Sequence, residues 1–254
     1  MSRNGAWTRF WRGILIFGCA AATAGAAPIF VPNASFETPV IRVSPYARPD
    51  FTDWQEAPPP AWWSGLGYTA EDWYNTTGVF YNVPDVSTTI DNVDGEQAAF
   101  LFATPGVEIY QDLEAKYEAG LSLRLTVALQ GGGMGMTVGN PLEIRLYYRD
   151  GLGERIVVGS VVATNTTDES LPHLRHLDDV TLDIPVVSPL DSWAGRNVGI
   201  QIVSPPQASG GFWRLDNVRL EAIPEPASAA LLAAGLLAAG RFLRRGAQDA
   251  RSAR

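Results

Sequence analysis

The sequence has little of what nucleophilic and metal chemistry use. Among 254 residues there is one cysteine and there are two histidines. A single Cys19 excludes a disulfide scaffold. His173 and His176 make an H-x-x-H pair beside Pro172. Zinc needs three or four ligands, however, and no H-E-x-x-H is present, so the pair reads as loop or surface. No G-x-S-x-G elbow occurs. Positive charge is also scarce, with 19 Lys+Arg against 27 Asp+Glu, a net charge of -8 and a pI near 4.8. Three arginines precede residue 13 and five follow residue 240, leaving eleven basic against twenty-six acidic residues between them, with Lys116 the lone lysine. Such a body repels nucleic acid and attracts divalent cations.

The two ends read as addresses. Arg3, Arg9 and Arg12 precede an apolar run from Gly13 to Ala22, and Ala24-Gly25-Ala26 supplies an A-x-A site. This predicts a secretory signal peptide over residues 1–26, with cleavage after Ala26. The alternatives are a membrane anchor and a lipid-bearing Cys19. At the other end Pro224-Glu225-Pro226 precedes an Ala-, Leu- and Gly-rich run over 227–243 and an arginine-rich tail. That run predicts a membrane-inserted helix with its arginines on the cytoplasmic side. Residues 223–254 resemble the PEP-CTERM sorting signal, with Pro224, Glu225 and Pro226 as its motif. The resemblance implies processing by an exosortase, delivery to the cell surface and a host that makes exopolysaccharide; a permanent C-terminal anchor is the alternative.

Residues 27–222 predict one all-β domain. Leu121, Leu123, Leu125, Val127 and Leu129 alternate with Ser122, Arg124, Thr126 and Ala128, which is the period of a half-buried strand. Runs over 98–102, 107–113, 142–146, 155–163, 180–184, 198–202 and 212–221 are further strands. Asp94-Gly95, Asn140-Pro141, Asp150-Gly151 and Gly210-Gly211 punctuate them. Roughly nine strands at this spacing suggest a single β-sandwich of the jelly-roll kind. The run 131–136, Gly-Gly-Gly-Met-Gly-Met, lacks the ending of a phosphate loop and reads as a hairpin connection.

Between Tyr46 and Tyr81 lie ten aromatics and a Pro58-Pro59-Pro60 run. This is too aromatic for a linker and reads as ordered loops around one or two short strands. Trp54, Trp62, Trp63, Trp73 and Tyr74 offer flat faces for sugar rings, with Glu71 and Asp72 among the polar partners. The competing reading is that several of them fill the core. If Trp62 and Trp63 lie in a strand, they point to opposite faces and one is core.

Pro32-Asn33-Ala34-Ser35-Phe36-Glu37 opens the body and Leu215-Asp216-Asn217-Val218 closes it. This order resembles the galactose-binding-like jelly rolls, including carbohydrate-binding modules. The resemblance implies a structural Ca2+ joining the opening segment to the closing strand, with Glu37 and Asp216 as its ligands. Asp94 and Glu96 read as a turn entering a strand. The function expected on these grounds is a non-catalytic, exported and exosortase-sorted surface protein that binds polysaccharide. One alternative is a matrix or adhesion protein binding protein partners or cations. Another is a secreted glycan hydrolase or lyase built on one of the acidic pairs.

Overall fold

Strand alternation positions everything that follows. The computed structural model describes residues 25–42, 47–49, 51–84, 86, 89–166 and 175–224. Within residues 25–225, a single compact unit, the elements run β1 (Ala27–Ile29), β2 (Ala47–Arg48), β3 (Gln55–Glu56), α1 (Ala61–Gly65), α2 (Ala70–Tyr74), β4 (Thr77–Tyr81), β5 (Gln97–Phe102), β6 (Glu108–Lys116), β7 (Leu121–Gly133), β8 (Pro141–Arg149), β9 (Arg155–Thr164), β10 (Asp178–Ile184), β11 (Asn197–Val203) and β12 (Phe212–Pro224). The protein is all-β, with two antiparallel sheets. A seven-stranded sheet has the order β10-β7-β12-β5-β4-β2, with β1 added alongside β12. A five-stranded sheet has the order β3-β6-β11-β8-β9.

The core lies between the sheets. Val79, Ala99, Leu101, Leu125, Trp213 and Leu215 face Ile109, Ile144, Leu146, Ile200 and Ile202, and all belong to one apolar cluster. Fully burying one such aliphatic side chain is worth about 1.5–3 kcal/mol, so this cluster carries most of the driving force. β12 is the organising strand. Its first half pairs with β5, its second half with β1, and it pairs with β7 throughout. A bulge interrupts that last ladder between Asp216 and Arg219, with Asn217 at a positive φ of 49°. The extra residue buries both Leu215 and Asp216. Val218 N–H then reaches the Ala34 carbonyl at 2.9 Å, tying the opening loop to the closing strand.

The aromatic stretch departs from expectation. Trp62 and Trp63 lie on the short helix α1 rather than in a strand, after the proline run. Helix α2 is capped by Thr69, whose hydroxyl accepts the Asp72 N–H while the Asp72 carboxylate accepts the Thr69 N–H. This reciprocal cap satisfies donors that a five-residue helix cannot satisfy itself. Among the described residues no helix is long and apolar enough to cross a membrane. The expected signal segment before residue 25 and the sorting tail from Glu225 onward lie outside the described residues. Pro224, the first residue of the expected motif, is the last residue of β12 and pairs with Leu121.

Candidate functional site

Around β5 the seven-stranded sheet is apolar on both faces. In β5, Ala99 and Leu101 point into the core, so Phe100 and Phe102 point outward. In β12, Trp213 and Leu215 point inward, so Phe212 and Arg214 point outward. Register aligns them, with Phe100 opposite Arg214 and Phe102 opposite Phe212. On the far side of β12, Arg214 meets Gln130 and Phe212 meets Gly133 of β7. The three phenylalanine rings pack on one another at centroid distances of 5.8–6.3 Å.

A cavity of about 700 Å³ lies over these rings. Phe80, Tyr81, Phe100, Phe102 and Phe212 give it an aromatic floor and wall, and Val83, Val86 and Met134 close its rim. Its size and its mostly apolar lining with few polar groups suit a small aromatic ligand. The wall is braced. The Asn82 side chain donates to the Ile90 carbonyl and accepts the Ile90 N–H, both at 2.9 Å. Thr89 ties back to Val83 and Val86 through its hydroxyl. Opposite, Met134 stands exposed at a φ of 50°, next to Gly135. At Gly133 an added Cβ would meet the Phe212 ring at 2.5 Å, so the glycine lets that ring lie close over β7.

Arg214 is the charged residue among the described lining residues. Its Nη1 donates to Gln130 Oε1 at 3.0 Å. Its guanidinium carbon lies 5.2 Å from the centre of the Phe212 ring, within cation–π range. No described lining residue carries a carboxylate. Tyr81 supplies the phenolic hydroxyl of the wall.

The residues first expected to bind sugar lie elsewhere. Trp54, Trp63 and Trp73 are buried, and each indole N–H donates to a backbone carbonyl, of Asn33, Thr69 and Ala57 respectively. Trp54 packs on Phe36, and Trp63 stacks on Tyr68. Trp62 and Tyr74 are exposed, as is Glu71, and Asp72 is occupied in the α2 cap. None of these seven lines the cavity. The cavity residues themselves were overlooked, although three phenylalanines at the outward positions of two recognised strands were the available clue.

Glu37 and Asp216 do converge on one region. Glu37 Oε1 accepts the N–H groups of Glu96 and Gln97, both at 2.8 Å. Asp216 Oδ2 accepts the Asp94 N–H at 2.5 Å, and the Asp94 carboxylate accepts the Ser35 hydroxyl at 2.5 Å. Asp216 is fully buried and its Oδ1 has no hydrogen-bond partner. Burial pushes its carboxyl up to about 7, assisted by Asp94 and Glu37 and opposed by the backbone N–H groups of Asp94 and Asn217. An orphaned buried carboxylate oxygen fits a hard cation. Even so, among the described residues no three His, Cys, Asp or Glu side chains form a ready cage. A cation held by Glu37 and Asp216 therefore takes its further ligands from carbonyls or water.

A family model described as HpiC1-like, HpiC1 cyclase, matches residues 27–221. The chain belongs to the HpiC1-like cyclase family. Among solved structures, this cyclase-family chain is similar to the Stig cyclase Fisc from Fischerella sp. TAU in complex with (3Z)-3-(1-methyl-2-pyrrolidinylidene)-3H-indole. The identity is 22% and the TM-score 0.58, over 79% of this chain and 99% of that one. It is also similar to a cyclase from Fischerella sp. TAU in complex with 4-(1H-indol-3-yl)butan-2-one, with 23% identity and a TM-score of 0.56 over 78% and 98%. At such identities the likeness shows a shared fold. TmCBM61 in complex with β-1,4-galactotriose has 16% identity and a TM-score of 0.40, too distant to carry an argument. No curated protein matches the chain.

Family membership corrects the functional expectation. The chain is not recognised as an exosortase-sorted protein with a galactose-binding-like body, and its body is not a non-catalytic polysaccharide-binding module. The matrix, adhesion and glycan-hydrolase alternatives fall with it. The reason is physical. The opening N-x-x-F-E and closing L-D-x-V segments stitch the two ends of the sandwich together, through Val218 to Ala34 and Asp94 to Asp216. They report how the fold closes, and say nothing of what its outer face holds.

Proposed function

We propose that this protein is a cyclase acting on a small aromatic substrate held in the cavity above Phe100, Phe102 and Phe212. The observation that carries the reading is that cavity, a braced aromatic hollow on the outer face of the seven-stranded sheet. Ring closure needs a flexible substrate folded so that its reacting atoms meet, and a shaped aromatic hollow supplies that orientation. Aromatic faces also stabilise positive charge that develops as bonds rearrange. Both Fischerella complexes contain indole ligands, which gives a practical probe. The full chain is expected to bind 4-(1H-indol-3-yl)butan-2-one by titration calorimetry, and Phe102→Ala to weaken binding about tenfold. Binding that survives both Phe102→Ala and Phe212→Ala refutes the site.

Three further readings belong to this proposal. The strand order supports a jelly roll. The orphaned Oδ1 of buried Asp216 supports a structural Ca2+ held by Glu37 and Asp216. It would fasten the opening loop to β12, with no part in the chemistry at the cavity. The basic start, apolar run and A-x-A site of residues 1–26 support export, and the apolar run 227–243 supports membrane association of the tail. Cell fractionation tests the last reading, and a wholly cytoplasmic product overturns it.

A further inference from the structure

We infer that Asn75 determines the specificity of the cavity, its side-chain amide accepting the ring N–H of a neutral heteroaromatic ligand. The inference rests on the cavity being the ligand site, and adds which group of the ligand is read and by which residue.

Asn75 stands at one end of the hollow. It is the C-cap of α2, one residue before Thr76, whose carbonyl accepts the Phe102 N–H at 2.8 Å. Phe102 lies opposite Phe212, and Phe212 opposite Gly133, so Asn75 lines the cavity at the end that also holds these two rings and Met134. The helix fixes its backbone, because the Asn75 N–H donates to the Glu71 carbonyl at 3.0 Å.

Most of the other polar lining is already engaged. The Asn82 amide is spent at both ends on Ile90. Arg214 is held by Gln130, by the Phe212 ring and by a further interaction. Among the described residues the Asn75 side chain makes no hydrogen bond, so its amide is available to a ligand. Tyr81 lines the cavity from the other end of β4, opposite Gln97.

An amide is uncharged and carries an acceptor as well as donors. No described lining residue offers a carboxylate to a cationic ligand, so a neutral ligand suits the hollow. The N–H of an aromatic heterocycle lies in the plane of its ring. A ring laid on Phe102 and Phe212 therefore presents that N–H sideways, where Asn75 Oδ1 can accept it. A site that hydrogen-bonds an N–H rejects the analogue lacking it.

Two probes isolate this bond. 4-(1H-Indol-3-yl)butan-2-one and 4-(1-methylindol-3-yl)butan-2-one differ by one methyl group on the ring nitrogen. Titration calorimetry on the full chain is expected to show the N–H probe binding about fivefold or more tightly, the range of one hydrogen bond. Asn75→Leu is expected to abolish that preference while binding the N-methyl probe as the wild-type chain does. Asn75→Asp keeps an acceptor and is expected to retain the preference. The φ of -77° at this position tolerates either substitution. Leucine has nearly the shape of asparagine, so mere steric exclusion of the methyl group would survive the change. Equal affinities for the wild-type chain, or a preference that persists in Asn75→Leu, overturns the inference. A preference lost in Tyr81→Phe and kept in Asn75→Leu assigns the N–H to Tyr81 and overturns it too. If the N–H probe binds in a Phe102-dependent way and methylation costs nothing, the site stands and the inference alone fails. If neither probe binds, both fail.

Discussion

Replacing Gly133 by alanine tests the geometry of the cavity floor. Gly133 closes β7 and pairs with Phe212. Its backbone needs no left-handed conformation, so the substitution probes space alone. An added Cβ lies 2.5–2.6 Å from three atoms of the Phe212 ring, where ordinary contact begins at 3.4 Å. The ring must therefore retreat by roughly 1 Å. Phe102 at 5.8 Å, Phe100 at 6.3 Å and the Arg214 guanidinium at 5.2 Å limit where it can go. Overpacking of this kind costs about 1–3 kcal/mol. Glycine in a strand interior is itself unfavourable by about 0.5–1 kcal/mol, which alanine recovers. The net loss is up to about 2.5 kcal/mol, a fall in Tm of up to about 10 °C for a body of this size. In a Phe212→Ala background the obstacle is gone, and the same substitution should become neutral or stabilising. Thermal and urea unfolding of the four proteins in this cycle give the coupling directly. Additive effects, or stabilisation by Gly133→Ala alone, refute the placement of Phe212 over Gly133.

Three other outcomes follow from the same structure. Trp73→Phe loses the 2.8 Å bond to the Ala57 carbonyl and part of the buried indole packing against Trp62 and Trp63, so urea unfolding should show a loss of about 2–4 kcal/mol while cavity binding is unchanged. Ca2+ at about a hundredfold excess over its Kd should stabilise the native chain by about 2.7 kcal/mol, and Asp216→Ala should abolish the effect; a wild-type Tm indifferent to Ca2+ and EDTA removes the calcium reading. The Arg145 guanidinium at 2.6 Å holds the Glu143 carboxyl below its ordinary range. Its contribution to stability is present above the unfolded carboxylate pKa and is lost as pH falls through the lowered folded value. Glu143→Gln should therefore flatten the acid limb of a pH–stability profile, and an unchanged limb shows that the pair contributes nothing.

Much of the fold was legible because a half-buried strand writes its period into the chain. The alternation of Leu121 to Leu129 and of Val180 to Ile184 placed β7 and β10, which pair with each other from Leu129–Asp178 to Leu123–Ile184. The short strands β1, β2 and β3 have two or three residues each, too few to show a period. Helices α1 and α2 have five residues each and follow prolines or aromatics, so neither offered a helical repeat. The Trp-rich segment drew attention because aromatic density looks the same in a binding face and in a core. Only the three-dimensional partners of the Trp54, Trp63 and Trp73 N–H groups separate the two. The cavity escaped for the opposite reason. In Gln97-Ala98-Ala99-Phe100-Leu101-Phe102 both faces are apolar, so periodicity announces a buried strand without saying what lies over the second face.

The two outer faces of the sandwich explain why the site falls where it does. On the five-stranded sheet the outward side chains answer one another. Arg149 lies on Asp112 at 2.9–3.0 Å, Tyr147 donates to Asp112 at 2.9 Å, and Arg155 and Gln201 both hold Glu108. Arg155 also sits 4.0 Å above the Tyr110 ring. A ligand entering there must break charge-assisted bonds that the protein already makes, at a cost comparable to what it gains. On the seven-stranded sheet outward positions of β5 and β12 carry Phe100, Phe102 and Phe212, buried or half-buried rings whose remaining open surface meets only water. Displacing that water is favourable by about 25 cal/mol per Å² of apolar surface covered. The same register that builds one core between the sheets thus leaves an apolar patch at β5 and Phe212 on the seven-stranded sheet, while Arg124–Asp183 and Arg219–Asp179 pair elsewhere on that outer face. Changing the outward residues of β5 and β12 alters what is bound while the inward set, Ala99, Leu101, Trp213 and Leu215, keeps the fold.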